Sequence, residues 1–292
     1  MTLFLTNFLY DLFYTFKSTI KIIVFHPIRN RYKLRLDKEK TVYLLASGLS
    51  LRNDISNYLQ ELSEQNLFVM NQFVFSDLFL LLKPTCYVLT DPIYWSEHIS
   101  ETEREVALNV VSELKNCVSW DLSLFVPLFA LKSERIKMIK ENVHVKVIGY
   151  SSLSLNGFRF CRNYWYKKNC GMPSPQSVLN AAIFLALNSG YKVINLLGAD
   201  HTWIKQLSVG YDGLIYNEDN HFYDKQKAKK VAIVDGDNKY WTIEKWLLYV
   251  AKLFRSHYVL KDYAKYLGVS IFNLTSDTML DVYERRRIED SF

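Results

Sequence analysis

The chain has 292 residues, enough for one large α/β domain with a buried core. Hydrophobic residues make up 49% and charged residues 23%, with ten Gly and six Pro, which excludes a disordered, collagen-like or linker-rich chain. The net charge of +6 suits a phosphate-bearing substrate or an anionic membrane surface, and no Lys/Arg stripe with interleaved aromatics marks a nucleic-acid binder.

Residues 3–25 read LFLTNFLYDLFYTFKSTIKIIVF. No basic region precedes the apolar run and no small-residue cleavage site follows, so it does not read as a signal peptide. Asp11, Lys17 and Lys21 make it a poor membrane span. At helical spacing, Phe8 and Leu12 share one flank and Leu5, Leu9, Phe13 and Phe16 the next. A basic cluster of Arg29, Arg31, Lys33 and Arg35 follows. A wide apolar face beside basic residues predicts a helix lying on the inner surface of a membrane, attached through residues 3–35. The competing reading is a core or dimer helix before a solvated basic segment. Residues 1–36 are therefore expected to form a membrane-surface segment and residues 37–292 a single α/β domain.

The body alternates strands and helices. Apolar runs at 41–48, 67–71 and 85–92 read as buried strands, with a helix from about 51 to 64. The charged stretch 96–115 is helical. WDLSLFVP and HVKVIGY read as two more strands around a helix at about 129–141. The best-marked unit is 174–200: Ser174 as N-cap, Pro175 at the first helical position, Gly190 as the stop, then the strand YKVINLLG with Asp200 just past its end. A polar stretch at about 201–240 has no strong period and reads as a lid. A long helix from about Thr242 to Leu267 ends at Gly268, and VSIFNLT is a last strand. This order predicts a Rossmann-like, doubly wound, mostly parallel sheet with a lid region. Cys86, Cys117, Cys161 and Cys170 form no CxxC pair, which argues against a zinc site and for a reducing compartment.

Open parallel sheets bind ligands beyond the carboxyl ends of their strands. The polar residues there are Ser47, Gly48 and Ser50, then Asn71 and Gln72, then Asp91, then Asp200 and His201; Gln176 and Ser177 lie at the start of the well-marked helix. The turn at 46–51 could seat a phosphate on helix N–H groups or be a plain strand-to-helix turn. It is no Walker A loop and lacks the glycines of a dinucleotide fingerprint. Among the histidines, His201 adjoins Asp200, and His221 lies in NEDNHFYD, where acids could orient it as a base for transfer to a hydroxyl. Asp219, His221 and Asp224 could also cluster around a metal, although their spacing fits no established ligand pattern.

Taken together, VYLLASGLSL, FVMNQFVFSD, CYVLTDPIYW and SVLNAAIFLALNSGYKVINLLGAD resemble the bacterial sialyltransferases that use CMP-sialic acid, and the wider DUF115 group. The resemblance spans residues 41–203 and, more loosely, 217–281. It implies a metal-independent glycosyltransferase with a nucleotide-sugar co-substrate, CMP-linked, and no other cofactor. It places Ser47 to Ser50 along the nucleotide phosphate, Asn71 on the donor, Gln176 and Ser177 on the donor sugar, and Asp200 in the nucleotide pocket. It makes His221 the general base and Tyr211 and Tyr216 helpers of the departing phosphate. Three motifs depart from the family: Asp91-Pro92 replaces Asn-Pro, Gln176-Ser177 replaces Ser-Gly, and Gly198-Ala199-Asp200 replaces Gly-Ile-Asp.

The expected partners are a nucleotide-sugar donor, a surface glycan or lipooligosaccharide acceptor, and the inner face of the membrane. Homo-oligomers are left open and nucleic acid is not expected. The competing functions are a magnesium-dependent pterin pyrophosphokinase, from the archaeal branch of the same group, and a non-catalytic sugar-binding protein.

Overall fold

A computed structural model describes residues 2–25, 41–217, 222–223, 230–234 and 239–292. The basic cluster at 29–35, His221, Asp219 and Asp224 lie outside the described residues.

In chain order the elements are α1 (Thr2–Phe25), β1 (Thr41–Leu45), α2 (Leu51–Ile55), α3 (Leu59–Ser63) and β2 (Leu67–Met70). Next come α4 (Asp77–Leu82), β3 (Cys86–Val88), α5 (Glu101–Asn116), β4 (Leu122–Pro127), α6 (Glu134–Ile139) and β5 (Val145–Tyr150). They are followed by α7 (Arg159–Lys167), α8 (Val178–Ser189), β6 (Val193–Leu197), β7 (Ser208–Val209), β8 (Ile215–Asn217) and β9 (Val231–Ala232). The chain then runs through α9 (Ile243–Leu267), β10 (Ser270–Asn273) and β11 (Glu284–Arg285).

Eight strands form one parallel sheet in the order β11-β10-β6-β1-β2-β3-β4-β5. The chain winds outward from β1 to β5, returns to place β6 on the other side of β1, and continues to β10. This is the Rossmann-like doubly wound arrangement, and its strand order reverses between β1 and β6. Side chains alternate across the sheet: Val42 and Leu44 join the core under α8 and α9, while Tyr43 and Leu45 join the core under α4, α5 and α6. Both faces are covered, so the central strands are apolar throughout.

Several elements differ from the sequence reading. The expected helix at 51–64 is two short helices, broken at 56–58, where Tyr58 leaves helical geometry. The helix at 174–190 begins at Val178, not at Pro175. Ser177 caps it, accepting from the Asn180 N–H while the Asn180 side chain accepts from the Ser177 N–H. That reciprocal box outweighs the Ser174-Pro175 signal. The stretch at 201–240 contains a three-stranded antiparallel sheet, β7-β8-β9. Ile215 from this sheet is buried with Trp246 and Val250 of α9, with Trp203, Ile204 and Leu207 packed around them. Helices α4 and α7 and strand β11 were not anticipated.

Helix α1 is amphipathic in an inverted sense. Its polar stripe docks on the loop at 154–158 and its apolar arc faces outward. Ser18 donates to the Asn156 carbonyl and accepts from the Asn156 N–H, both at 2.9 Å. Thr15 accepts from the Phe158 N–H at 2.8 Å, and Lys21 donates to the Ser154 carbonyl at 3.2 Å. Gly157, at φ 111°, makes the close approach possible, because a Cβ there would meet the Thr15 nitrogen at 2.5 Å. Leu5, Leu9, Phe13, Phe16, Ile20 and Ile23 are exposed on the outer arc. Among the described residues no helix is long and apolar enough to cross a membrane.

Candidate functional site

A cleft of about 900 Å³ opens at the carboxyl edge of the parallel sheet. Ser47, Gly48, Asn71, Gln72, Asp91, Gln176, Ser177, Asp200 and His201 line it, drawn from residues as far apart as 47 and 201. The topology brings them together, since each follows a parallel strand or opens the helix packed across it.

The crevice between β1 and β6 is closed by the protein itself. Ser50 donates its N–H at 2.9 Å and its hydroxyl at 2.6 Å to the Asp200 carboxylate. The Gly48 N–H donates to the Gly198 carbonyl at 2.9 Å. A Cβ on Gly48 would stand 2.3 Å from the Asp200 carboxyl carbon and 2.5 Å from the Gly198 oxygen. The missing side chain therefore makes room for Asp200. The resemblance placed this turn along a phosphate, but two of its N–H donors are already taken. Burial raises the Asp200 pKa, and the two Ser50 bonds oppose that rise.

The free hydrogen-bonding capacity lies further along the edge. Asn71 follows β2 in the left-handed region, φ 49°, a conformation Asn tolerates better than other non-glycine residues. The buried Tyr87 hydroxyl fixes it by donating to the Asn71 carbonyl and accepting from the Val74 N–H. The Asn71 side-chain oxygen is buried and has no partner, and the same holds for Asn217 across the cleft. Buried unpaired amides are uncommon, and a ligand in the cleft would satisfy both. Asp91 accepts from the Ile93 N–H at 3.1 Å and caps the turn at Pro92–Tyr94; burial raises its pKa. Gln176 donates to the Ser174 hydroxyl at 2.6 Å, and its carbonyl accepts from the Tyr249 hydroxyl at 2.7 Å.

Three expected site residues do not line the cleft: Ser50, bonded to Asp200 beneath it, and two tyrosines. Tyr211 is fully exposed on the turn between β7 and β8, and the Tyr216 hydroxyl donates outward to Asp212 at 2.6 Å. The small sheet that carries them turns these rings to solvent. Aromatic side chains that do line the cleft include Trp95, Tyr150, Trp203, Tyr223 and Tyr249. His221 lies outside the described residues. Its chain neighbour Phe222 donates its N–H to the Ser47 carbonyl at 3.2 Å, and Tyr223 lines the cleft. Among the described residues no group of three His, Cys, Asp or Glu side chains could hold a metal ion.

His201, also in the left-handed region at φ 51°, pairs its Nε2 with Nε2 of His257 at 3.2 Å. His257, fully buried in α9, places its Nδ1 3.1 Å from the Tyr283 hydroxyl. Sequence reasoning missed both partners, because His257 reads as one more polar residue in a long helix. Burial lowers the His201 pKa to about 4, and burial followed by the His201 charge lowers that of His257.

No family model matches this sequence, and no curated protein matches it. Among solved structures the chain is similar to the MAf glycosyltransferase from Magnetospirillum magneticum AMB-1, at 13% identity and a TM-score of 0.48. The overlap covers 90% of this chain and 36% of that one. The chain thus spans about a third of that protein's length, and at this depth the overlap says nothing of substrate.

Gly48→Ala is expected to destabilise the fold by about 1–3 kcal/mol in denaturant unfolding, since its Cβ has no space beside Asp200. Unchanged stability with loss of ligand binding alone would contradict this reading. The histidine pair sets a second expectation. Above about pH 6.5 both folded and unfolded states hold neutral imidazoles. Below it the unfolded chain takes up protons that His201 refuses until about pH 4, so stability falls across that window as pH falls. Asp200, with a raised pKa, acts in the opposite direction. Among the charges near Asp200, Asp54 and Asp277 raise its pKa further, and Asp277 is paired with Lys205. Melting temperatures of the native chain and of His257→Leu across this range check it, the variant showing the flatter acid limb.

Proposed function

We propose that the chain is a glycosyltransferase that moves an acidic sugar, of sialic-acid or nonulosonate type, from a CMP-activated donor to a surface glycan or lipooligosaccharide. The observation that carries this reading is the pair of buried, unpartnered amide oxygens, Asn71 and Asn217, in a polar cleft at the carboxyl edge of a doubly wound sheet. Such an edge is where folds of this kind hold nucleotides. The cleft has the volume expected of a site for a nucleotide-sized ligand. The resemblance of the strand-end motifs to CMP-sialic-acid transferases supplies the donor class.

In this reading Asn71, Gln72 and Gln176 hold the donor. Asp200 acts by closing the crevice under it. Attack by an acceptor hydroxyl on the anomeric carbon releases the nucleotide phosphate, and a histidine takes the proton. Trp203, Gln206 and Asn217, from the stretch read as a lid, reach the cleft and restrict water there. The chain acts without a metal.

The inverted helix α1 supports attachment to the inner face of a membrane. A surface helix ordinarily buries its apolar stripe, and this one buries the polar one. Its exposed Phe and Leu side chains suit the boundary between headgroups and acyl chains, and the basic residues 29–35 follow in sequence. A lipid-linked acceptor would lie at the same surface.

A thermal-shift panel on the full chain tests the donor class, with CMP, CDP, UDP, GDP, ATP and AMP, each with magnesium or EDTA. A ligand that binds only the native state raises the melting temperature. CMP or CDP is expected to do so regardless of EDTA; a shift with ATP or AMP alone, dependent on magnesium, would point instead to pyrophosphoryl transfer. Vesicle co-sedimentation tests the membrane. Phe13→Glu with Phe16→Glu is expected to release the chain from phosphatidylglycerol-containing vesicles while leaving nucleotide shifts unchanged, and equal sedimentation of both proteins would refute attachment through α1.

A further inference from the structure

We infer that His201, held by His257 and Tyr283, is the base that takes the proton from the attacking hydroxyl. The inference rests on the glycosyl-transfer reading. The resemblance gives this role to His221, whereas the geometry points to His201.

Three contacts define the arrangement. His201 Nε2 lies 3.2 Å from His257 Nε2, His257 Nδ1 lies 3.1 Å from the Tyr283 hydroxyl, and that hydroxyl reaches the His257 carbonyl at 3.4 Å. Hydrogen placement along this chain has two directions. In one, Tyr283 donates to the His257 carbonyl, His257 Nδ1–H donates to Tyr283, and His201 Nε2–H donates to His257. In the other, Tyr283 donates to Nδ1 and His257 Nε2–H donates to His201, which leaves the carbonyl contact unmade. The first direction makes three hydrogen bonds and the second makes two. The carbonyl can only accept, so this additional contact favours the first direction.

The outcome at the cleft is a fixed tautomer. His201 carries its hydrogen on Nε2, turned inward, and presents a bare Nδ1 lone pair on a ring that lines the cleft. A partner behind the ring thus orients the base, as in other catalytic histidines. Phe254 and Trp203 pack near the imidazole, the former edge to face at 5.9 Å, and hold its plane. Burial keeps both imidazoles unprotonated at pH 7.

The acceptor oxygen bonds to the anomeric carbon while its O–H bond breaks and the proton moves to His201 Nδ1. The bond from the anomeric carbon to the phosphate oxygen breaks, and its electron pair leaves with the nucleotide. His257 Nε2 continues to accept from His201 and stabilises the imidazolium. His201 is the catalytic residue; His257 and Tyr283 position it.

Two measurements on the full chain test this. Two-bond nitrogen–proton spectra of histidine-labelled protein report the tautomers directly. His201 is expected in the Nε2–H form, with Tyr283→Phe mixing the two forms; an Nδ1–H form in the native chain would overturn the inference. Turnover of CMP-sialic acid, by transfer to lactose or by hydrolysis, is the second. His201→Ala is expected to lower kcat about 10²–10⁴-fold with donor KM little changed. His257→Leu is expected to lower it about 10–100-fold, and His257→Gln, which keeps an acceptor behind the ring, to restore most of the loss. Turnover surviving in His201→Ala but lost in His221→Ala would overturn the base assignment and leave the transferase reading standing. Absence of both CMP binding and turnover in the native chain would overturn the transferase reading, and the base role with it.

Discussion

The closure of Ser50 on Asp200 is the interaction on which the rest of the site depends. It joins the ends of the two strands at which the sheet reverses its winding, β1 and β6, through two short hydrogen bonds to one buried carboxylate. Gly48 makes it possible by having no side chain, and its N–H completes the seam on the Gly198 carbonyl. In an open doubly wound sheet this crevice is the usual nucleotide seat. Here it is the floor, and the space above it, between Asn71, Gln176 and the small sheet, is what remains for a ligand.

Helix α9 organises the other wall. Its first turns pack against the small sheet through Trp246 and Val250, and the Tyr249 hydroxyl holds the Gln176 carbonyl at the start of α8. Two turns further on, His257 backs His201. One 25-residue element thereby sets the small sheet, the α8 side of the cleft and the histidine pair at once. Any tilt of α9 would move all three together.

The strands were legible because burial on both faces leaves little room for polar residues, and runs such as VYLL and VINLL stand out against their flanks. Asn71 and Asp200 were legible as polar residues ending such runs. The start of α8 was misread by three residues, because Ser174-Pro175 imitates an N-terminal signal that the Ser177–Asn180 box overrides in three dimensions. The room that Gly48 makes for Asp200 was not legible for a related reason. Its sequence context shows a turn before a helix, but the carboxylate that fills the space beside it arrives 152 positions later. His257 was illegible: in LFRSHYVLKDY it looks like a surface residue, and its partner lies 56 positions away. Tyr211 and Tyr216 were assigned from the resemblance and their place in the stretch read as a lid, and the β7-β8 hairpin turns them outward. The apolar arc of α1 was visible in its spacing, whereas the polar stripe that docks it was not, because the receiving loop contributes backbone groups rather than side chains.

A crystal structure of the full chain with CMP decides between the two possible seats for the nucleotide. The nucleotide is expected in the outer cleft, bonded to the side-chain oxygens of Asn71 and Asn217, with the Ser50–Asp200 bonds intact beneath it. A phosphate bound on the N–H groups of Gly48 and Ser50, with those bonds broken and the crevice open, would contradict it.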